Sequence, residues 1–316
     1  MAAFGGALVG GLVEVFTDRT AASVGQAEPP PAIPPSAAAA SGSRTAAVST
    51  SAPSATASLS PPPATPAVTP SAMVESSFAE GEALVAALTA LPRGKNVAFG
   101  VGLLDAMTGR RFVFDTGAPF ETASTVKVDI LVATYLRASD AGRDLTASEK
   151  RLASAMIRNS DNASASTLFR AAGRASGMAK VYERMGMAAT RSASSWGLTT
   201  TTPGDRLIIL GALAGGGGGL QAEDGAEILA LMRSVSASQR WGVGGVARTG
   251  ETVAVKDGWL PRSNQAGRWI VSTSGLLTGP STDLRLAVCS RGHTSQRAGI
   301  EFIEKVLTLA RESLRV

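Results

Sequence analysis

Glu121-Thr-Ala-Ser-Thr-Val-Lys-Val-Asp-Ile130 is the stretch on which the reading of this 316-residue chain turns. Its Ser124 and Lys127 stand three residues apart at the start of an apolar helical pattern, a spacing that brings both side chains to one helix face. An amine placed there can take the proton of the hydroxyl, which is the relation of a serine nucleophile to a lysine base. Alone, the spacing occurs by chance on many exposed helices, so its meaning depends on the rest of the chain.

Two further segments give it context. Ser160-Asp161-Asn162 falls at a corner between two amphipathic helical patterns, and Lys256-Asp257-Gly258 ends the alternating run Glu251-Thr-Val-Ala-Val-Lys256, which reads as a strand. In this order and context the three elements resemble the Ser-x-x-Lys, Ser-Asp-Asn and Lys-Thr-Gly set of class A β-lactamases and penicillin-binding proteins. The resemblance extends over residues 75–316.

That resemblance implies an α+β fold: an antiparallel five-stranded sheet flanked by N- and C-terminal helices, with a helical lobe inserted at about 124–235. It implies a serine hydrolase that forms an acyl-enzyme on Ser124 and hydrolyses a β-lactam or related amide. The alternatives are a D-Ala-D-Ala peptidase or penicillin-binding protein acting on peptidoglycan peptides, and a module that binds penicillin or peptidoglycan without turnover. Lys127 would be the base, its pKa lowered by burial and by Lys256. Ser160 would relay a proton to the leaving nitrogen, Asn162 would position Lys127 and the substrate amide, and Asp161 would hold the corner. The oxyanion hole would be the backbone N–H groups of Ser124 and Trp259, with Gly258 left bare for close approach of substrate, and Asp257 would lie beside the substrate carboxylate.

Two departures from the family pattern bear on turnover. Residues 185–203 contain no acidic residue, although Thr200-Thr-Thr-Pro203 matches the end of the family's Ω-loop. The glutamate that serves class A enzymes as deacylation base is thus missing. The third motif carries Asp257 where a hydroxyl is usual, and this carboxylate would repel a substrate carboxylate unless Lys256 or Arg262 neutralises it. The interval from Ser124 to Ser160 is also short for class A, which implies a trimmed lobe and an open cleft.

Composition narrows the field further. With one histidine, His293, a Ser-His-Asp triad or a histidine-built metal centre has only that residue to use, and no cofactor or metal is expected. The lone Cys289 reads as a buried strand residue. The net charge of +5 comes from scattered arginines, and aromatics make up only 5% of the chain, so nucleic-acid binding is not expected.

Residues 73–316 read as the hydrolase domain, a body of ordinary size for one core. Residues 1–72 read as a short apolar end followed by a disordered Pro/Ala/Ser/Thr-rich tether, because such composition cannot bury enough apolar surface to offset its ordering entropy. The apolar end, Ala2 to Phe16, is shorter than the ~20 residues of a membrane span. Its pairing with a tether points to an extracellular or cell-envelope protein with an anchoring N-terminus, acting as a monomer on a small β-lactam or a cell-wall peptide.

Overall fold

The computed structural model of the protein describes residues 73–115 and 119–316. The expected apolar end and tether, and with them the anchoring reading, lie outside the described residues. All described residues belong to one compact unit.

The chain enters through β1 (Met73–Ser76) and α1 (Gly81–Ala90), then forms the hairpin of β2 (Ala98–Asp105) and β3 (Arg110–Asp115). In the hairpin turn the Asp105 carboxylate accepts the Met107 N–H at 3.1 Å, and Gly109 supplies the positive φ of 74° that closes it. A two-residue strand β4 (Phe120–Glu121) leads into the helical lobe: α2 (Val126–Asp140), α3 (Ala147–Arg158), α4 (Asn162–Ala171), α5 (Arg174–Met185), the short β5 (Thr200–Thr201), α6 (Pro203–Gly215) and α7 (Ala222–Arg233). The chain returns to the sheet through β6 (Thr252–Arg262), β7 (Arg268–Gly279) and β8 (Thr282–His293), and closes on α8 (Gln296–Leu314).

The main sheet is antiparallel throughout, in the order β1-β3-β2-β8-β7-β6. It therefore has six strands rather than the five expected. The extra strand comes from Met73–Ser76, at the start of a run, Val74 to Leu91, whose apolar residues recur at helical spacing and read as helix. Its backbone pairs with β3 from Met73↔Asp115 to Ser76↔Phe112. Ser76 then breaks the run, its Oγ accepting the Phe78 N–H at 3.1 Å before α1 begins.

The two faces of the sheet are covered by different helices. On one, α1 and α8 pack; α8 buries Ile303, Val306, Leu307, Ala310 and Leu314, a stripe at helical spacing, and starts where Ser295 Oγ accepts the Ala298 N–H. On the other face lies α6, capped by Thr202 with Pro203 at its first turn. It approaches closely because β2 presents glycines: a Cβ at Gly100 would stand 2.7 Å from Pro203 Cγ, and one at Gly102 would stand 3.0 Å from Pro203 O. The lobe and this second sheet face bound the cleft, with β6 as the sheet edge beside it.

Candidate active site

Ser124 sits in a 3-10 turn, Ala123–Thr125, that runs directly into α2, with Ala123 at φ 46°. A left-handed alanine costs on the order of 1–3 kcal/mol and persists only where its surroundings dictate it. Here Thr125 Oγ1 donates to Thr122 O at 2.8 Å, and the Thr122 N–H donates to Thr199 O at 2.8 Å. The turn is thus tied to the end of the loop that follows α5, beside the β4–β5 pairing of Phe120↔Thr201 and Glu121↔Thr200. Ser124 is half-buried, and among the described residues its hydroxyl has no hydrogen-bond partner.

Lys127 is buried one turn on and commits its ammonium to the Ser160 corner. Its Nζ donates to Ser160 O at 2.5 Å, Ser160 Oγ at 3.0 Å and Asn162 Oδ1 at 2.8 Å. It also lies 5.0 Å from the centre of the Trp196 ring. The corner that receives it is built by strain and a cap: Ser160 is left-handed at φ 57°, and Asp161 caps α4 by accepting the Ser164 N–H at 2.6 Å. Lys256 Nζ reaches the same hydroxyl from β6, donating to Ser160 Oγ at 3.2 Å and to Asp257 O at 3.0 Å. Two buried amines therefore share one serine oxygen. Burial lowers the Lys127 pKa to about 7, helped by the charge of Lys256 and opposed by Asp161. Burial also lowers that of Lys256, against the pull of Asp257.

Gly258 is the point where strand and nucleophile meet. A Cβ there would stand 2.7 Å from Ser124 N, 2.8 Å from Thr125 N and 2.9 Å from Thr122 O. The glycine is thus required here by the backbone of the nucleophile's own turn. Asp257 needs correction. Its side chain is buried and turned to the opposite face of β6 from Lys256 and Gly258, where Thr273 Oγ1 donates to it at 2.6 Å and the Trp241 N–H at 3.1 Å. Successive strand residues alternate faces, so the residue after the lysine cannot also face Ser160. Burial raises the Asp257 pKa well above the carboxylate range. Trp259, on the same face as Asp257, packs its ring on Trp241 at 5.9 Å, which leaves only its backbone available to the cleft.

The loop between α5 and α6 passes beside the nucleophile. Trp196 Nε1 donates to Ser166 Oγ at 3.2 Å, and the next residue, Gly197, has its Cβ direction 3.9 Å from Ala123 Cα. The acids that flank the loop are engaged or remote: Asp205 accepts from Ala189 N at 2.9 Å and Thr190 Oγ1 at 2.7 Å, while Glu183 is exposed on α5.

A layer that sequence reasoning missed lies under the turn. Arg206 of α6, 1% exposed, donates to Asp129 Oδ1 at 2.6 Å and to Thr125 O at 3.3 Å, and Tyr182 OH donates to Asp129 Oδ2 at 3.2 Å. Desolvation of Asp129 raises its pKa in spite of the arginine. The only sequence signal was a charged residue, Asp129, in the apolar run of α2. A fully buried ion pair contributes little net stability compared with apolar residues of the same shape. What it does supply here is a fixed donor to the carbonyl that follows Ser124.

The family described as the beta-lactamase enzyme family, Beta-lactamase2, matches residues 142–312. No curated protein matches. Among solved structures, PBP-A superposes with a TM-score of 0.63 at 18% identity, over 74% of this chain and 96% of that one. A beta-lactamase from Sphaerobacter thermophilus gives 0.61 at 23% identity, over 75% and 97%. A beta lactamase from Xanthomonas campestris gives 0.62 at 22% identity, over 75% and 99%. These likenesses establish the β-lactamase/transpeptidase fold.

Proposed function

Because the chain belongs to the beta-lactamase enzyme family, we propose that it is a serine hydrolase whose Ser124 is acylated by a β-lactam or a related peptide amide. The observation that carries this reading is the convergence of Lys127 and Lys256 on Ser160 Oγ, at 3.0 and 3.2 Å, beside a serine turn pressed against Gly258.

In this reading Lys127, neutral above about pH 7, takes the Ser124 proton as the oxygen attacks the amide carbon. The carbonyl oxygen becomes an oxyanion facing the N–H groups of Ser124 and Trp259; loss of one such donor costs about 3 kcal/mol. The proton passes through Ser160 to the leaving nitrogen, with Lys256 holding the Ser160 oxygen and Asn162 orienting both Lys127 and the substrate amide. Water then attacks the ester.

That last step favours a slow reading of the family chemistry. No carboxylate lies within residues 185–203, and Trp196 lies over Lys127, so a long-lived acyl-enzyme, as in a penicillin-binding peptidase of the cell envelope, fits better than rapid β-lactam hydrolysis. A solved neighbour at 19% identity is a PBP-A mutant described as an acyl-enzyme complex with penicillin G, which supports the same class for this chain. Intact-protein mass spectrometry over time with benzylpenicillin tests the proposal. A persistent mass increase equal to the antibiotic, mapped to Ser124, supports it; no adduct and no antibiotic consumption would remove it.

A further inference from the structure

At the end of the sheet beside β4, three arginines stand in a row across three strands. Arg262 of β6 is the direct cross-strand partner of Arg268 of β7. Arg291 of β8 is opposite Ile270, two residues along β7 from Arg268. Directly opposed residues, and residues two apart on a strand, share a face. It is the face that also carries Gly258, opposite Ser272, and Lys256, opposite Ser274. The row therefore lies on the cleft side of the sheet.

Like charges opposed across strands are unfavourable unless something neutralises them. One carboxylate is at hand: Glu121, three residues before Ser124, lies 3.6 Å from Arg262, and both are largely buried. The contact is made by Arg262 Nε, which is buried and has no partner within hydrogen-bond distance among the described residues. Arg268 and Arg291 form no ion pair among the described residues, and both line a cavity of about 390 Å³ with the amides of Asn96 and Gln265 and no acid. Each is held by one end. Arg291 donates to Pro119 O at 2.8 Å and stacks over Phe120, and Arg268 donates to Gly292 O at 3.2 Å. Their remaining donors, without partners among the described residues, suit a planar anion bound in the forked manner of guanidinium groups.

We propose that Arg262, Arg268 and Arg291 form a subsite for a carboxylate carried on the acyl side of the substrate, a reading that rests on the acyl-enzyme function above. From Gly258, against the nucleophile, to Arg262 is four residues of extended strand, or roughly 13 Å. A peptide or acyl chain laid along the β6 edge from Ser124 spans that distance in about four residues. The chain is thus selective for acyl donors with an acidic group remote from the scissile amide.

The test separates the subsite from the chemistry. Binding of the adipate dianion to the full chain is measured by calorimetry for the unmodified protein and for Arg268→Gln/Arg291→Gln, with a melting curve to verify that the variant folds. Acylation rates are then compared for two penicillins whose side chains are adipoyl, ending in a carboxylate, or hexanoyl, uncharged. We expect saturable adipate binding weakened at least tenfold in the double variant. We also expect the adipoyl compound to acylate about tenfold faster, an advantage that shrinks on adding salt and falls to near one in the variant. Adipate binding lost in the variant while neither penicillin labels Ser124 would leave the subsite standing and remove the acyl-enzyme reading. Labelling by both penicillins at equal rates, or equal adipate affinity in both proteins, would overturn the subsite. If Arg268→Gln/Arg291→Gln does not fold, Arg268→Lys/Arg291→Lys replaces it, and an unchanged adipoyl advantage that is also insensitive to salt overturns the proposal.

Discussion

Gly258→Ala should cripple the protein's acylation out of proportion to its effect on stability. The added Cβ meets three backbone atoms, Ser124 N at 2.7 Å, Thr125 N at 2.8 Å and Thr122 O at 2.9 Å, and none can rotate aside as a side chain would. To restore ordinary contact near 3.4 Å the nucleophile turn must retreat from β6 by roughly 0.7 Å. The turn is held from behind by Arg206 on Thr125 O and from the side by Thr199 on Thr122, so the shift is resisted and the strain remains. Overpacking of this kind costs about 1–3 kcal/mol of stability, while a displacement approaching 1 Å of a reacting group costs about a hundredfold in rate. The assay is the second-order rate of labelling by a fluorescent penicillin, beside a chemical denaturation curve. Leu307→Ala in α8, far from the cleft, is the control: it should lose about 2–5 kcal/mol with labelling intact. If Gly258→Ala labels within twofold of the unmodified protein, or if Leu307→Ala loses labelling equally, the close contact of strand and turn does not govern the chemistry.

Further expectations concern the same cleft. Ser124→Ala abolishes covalent labelling by serine-directed acylating reagents, as read by peptide mapping; a label persisting on Ser160 would move the nucleophile. Acylation should rise as pH passes about 7, where Lys127 loses its proton, and fall again as Lys256 is neutralised. Asp161→Asn keeps the helix cap but removes the charge that raises the Lys127 pKa, so the acid limb should move to lower pH; no movement in the rate profile would count against Lys127 as base. Since the folded state binds fewer protons at Lys127 than the unfolded chain between about pH 7 and the ordinary lysine range, this group's contribution to stability increases with pH across that window. Gly197→Glu places a carboxylate beside the nucleophile turn and should speed deacylation by about a hundredfold or more, measured as the decay of the penicilloyl adduct. Arg206→Met leaves Asp129 buried and unpaired, for a loss of about 3–5 kcal/mol, most of it recovered in Arg206→Met/Asp129→Leu, by denaturant titration.

The readings that the structure matched rest on local rules that tertiary context did not override. The turn that holds Ser124 runs directly into the helix that holds Lys127, as the apolar pattern of the stretch indicates, and Ser160-Asp161-Asn162 announces a helix start because Asp161 is a good cap. The alternation that placed Lys256 facing the cleft, however, also sends Asp257 to the other side, so treating both as cleft residues contradicted the period of a strand. The role of Gly258 was hidden for another reason: which backbone approaches a glycine depends on how strand and helix dock, and no local pattern encodes that. The same holds for Arg206, which is 77 residues from Asp129 in the chain. The strand at Met73–Ser76 was lost in a helical reading because four residues are too few for either period to declare itself.

Ser160 is asked for two things that no single amino acid offers together. Its hydroxyl receives both amines, yet its backbone occupies a region that favours glycine, so glycine would relieve the conformation and silence the chemistry while alanine would do the second without the first. Stability and acylation should therefore part company at this one position, with Ser160→Gly folding more firmly than Ser160→Ala and both labelling poorly. A corner built in this way is a local debt carried by the rest of the fold, and selection for a sturdier protein alone would erode it.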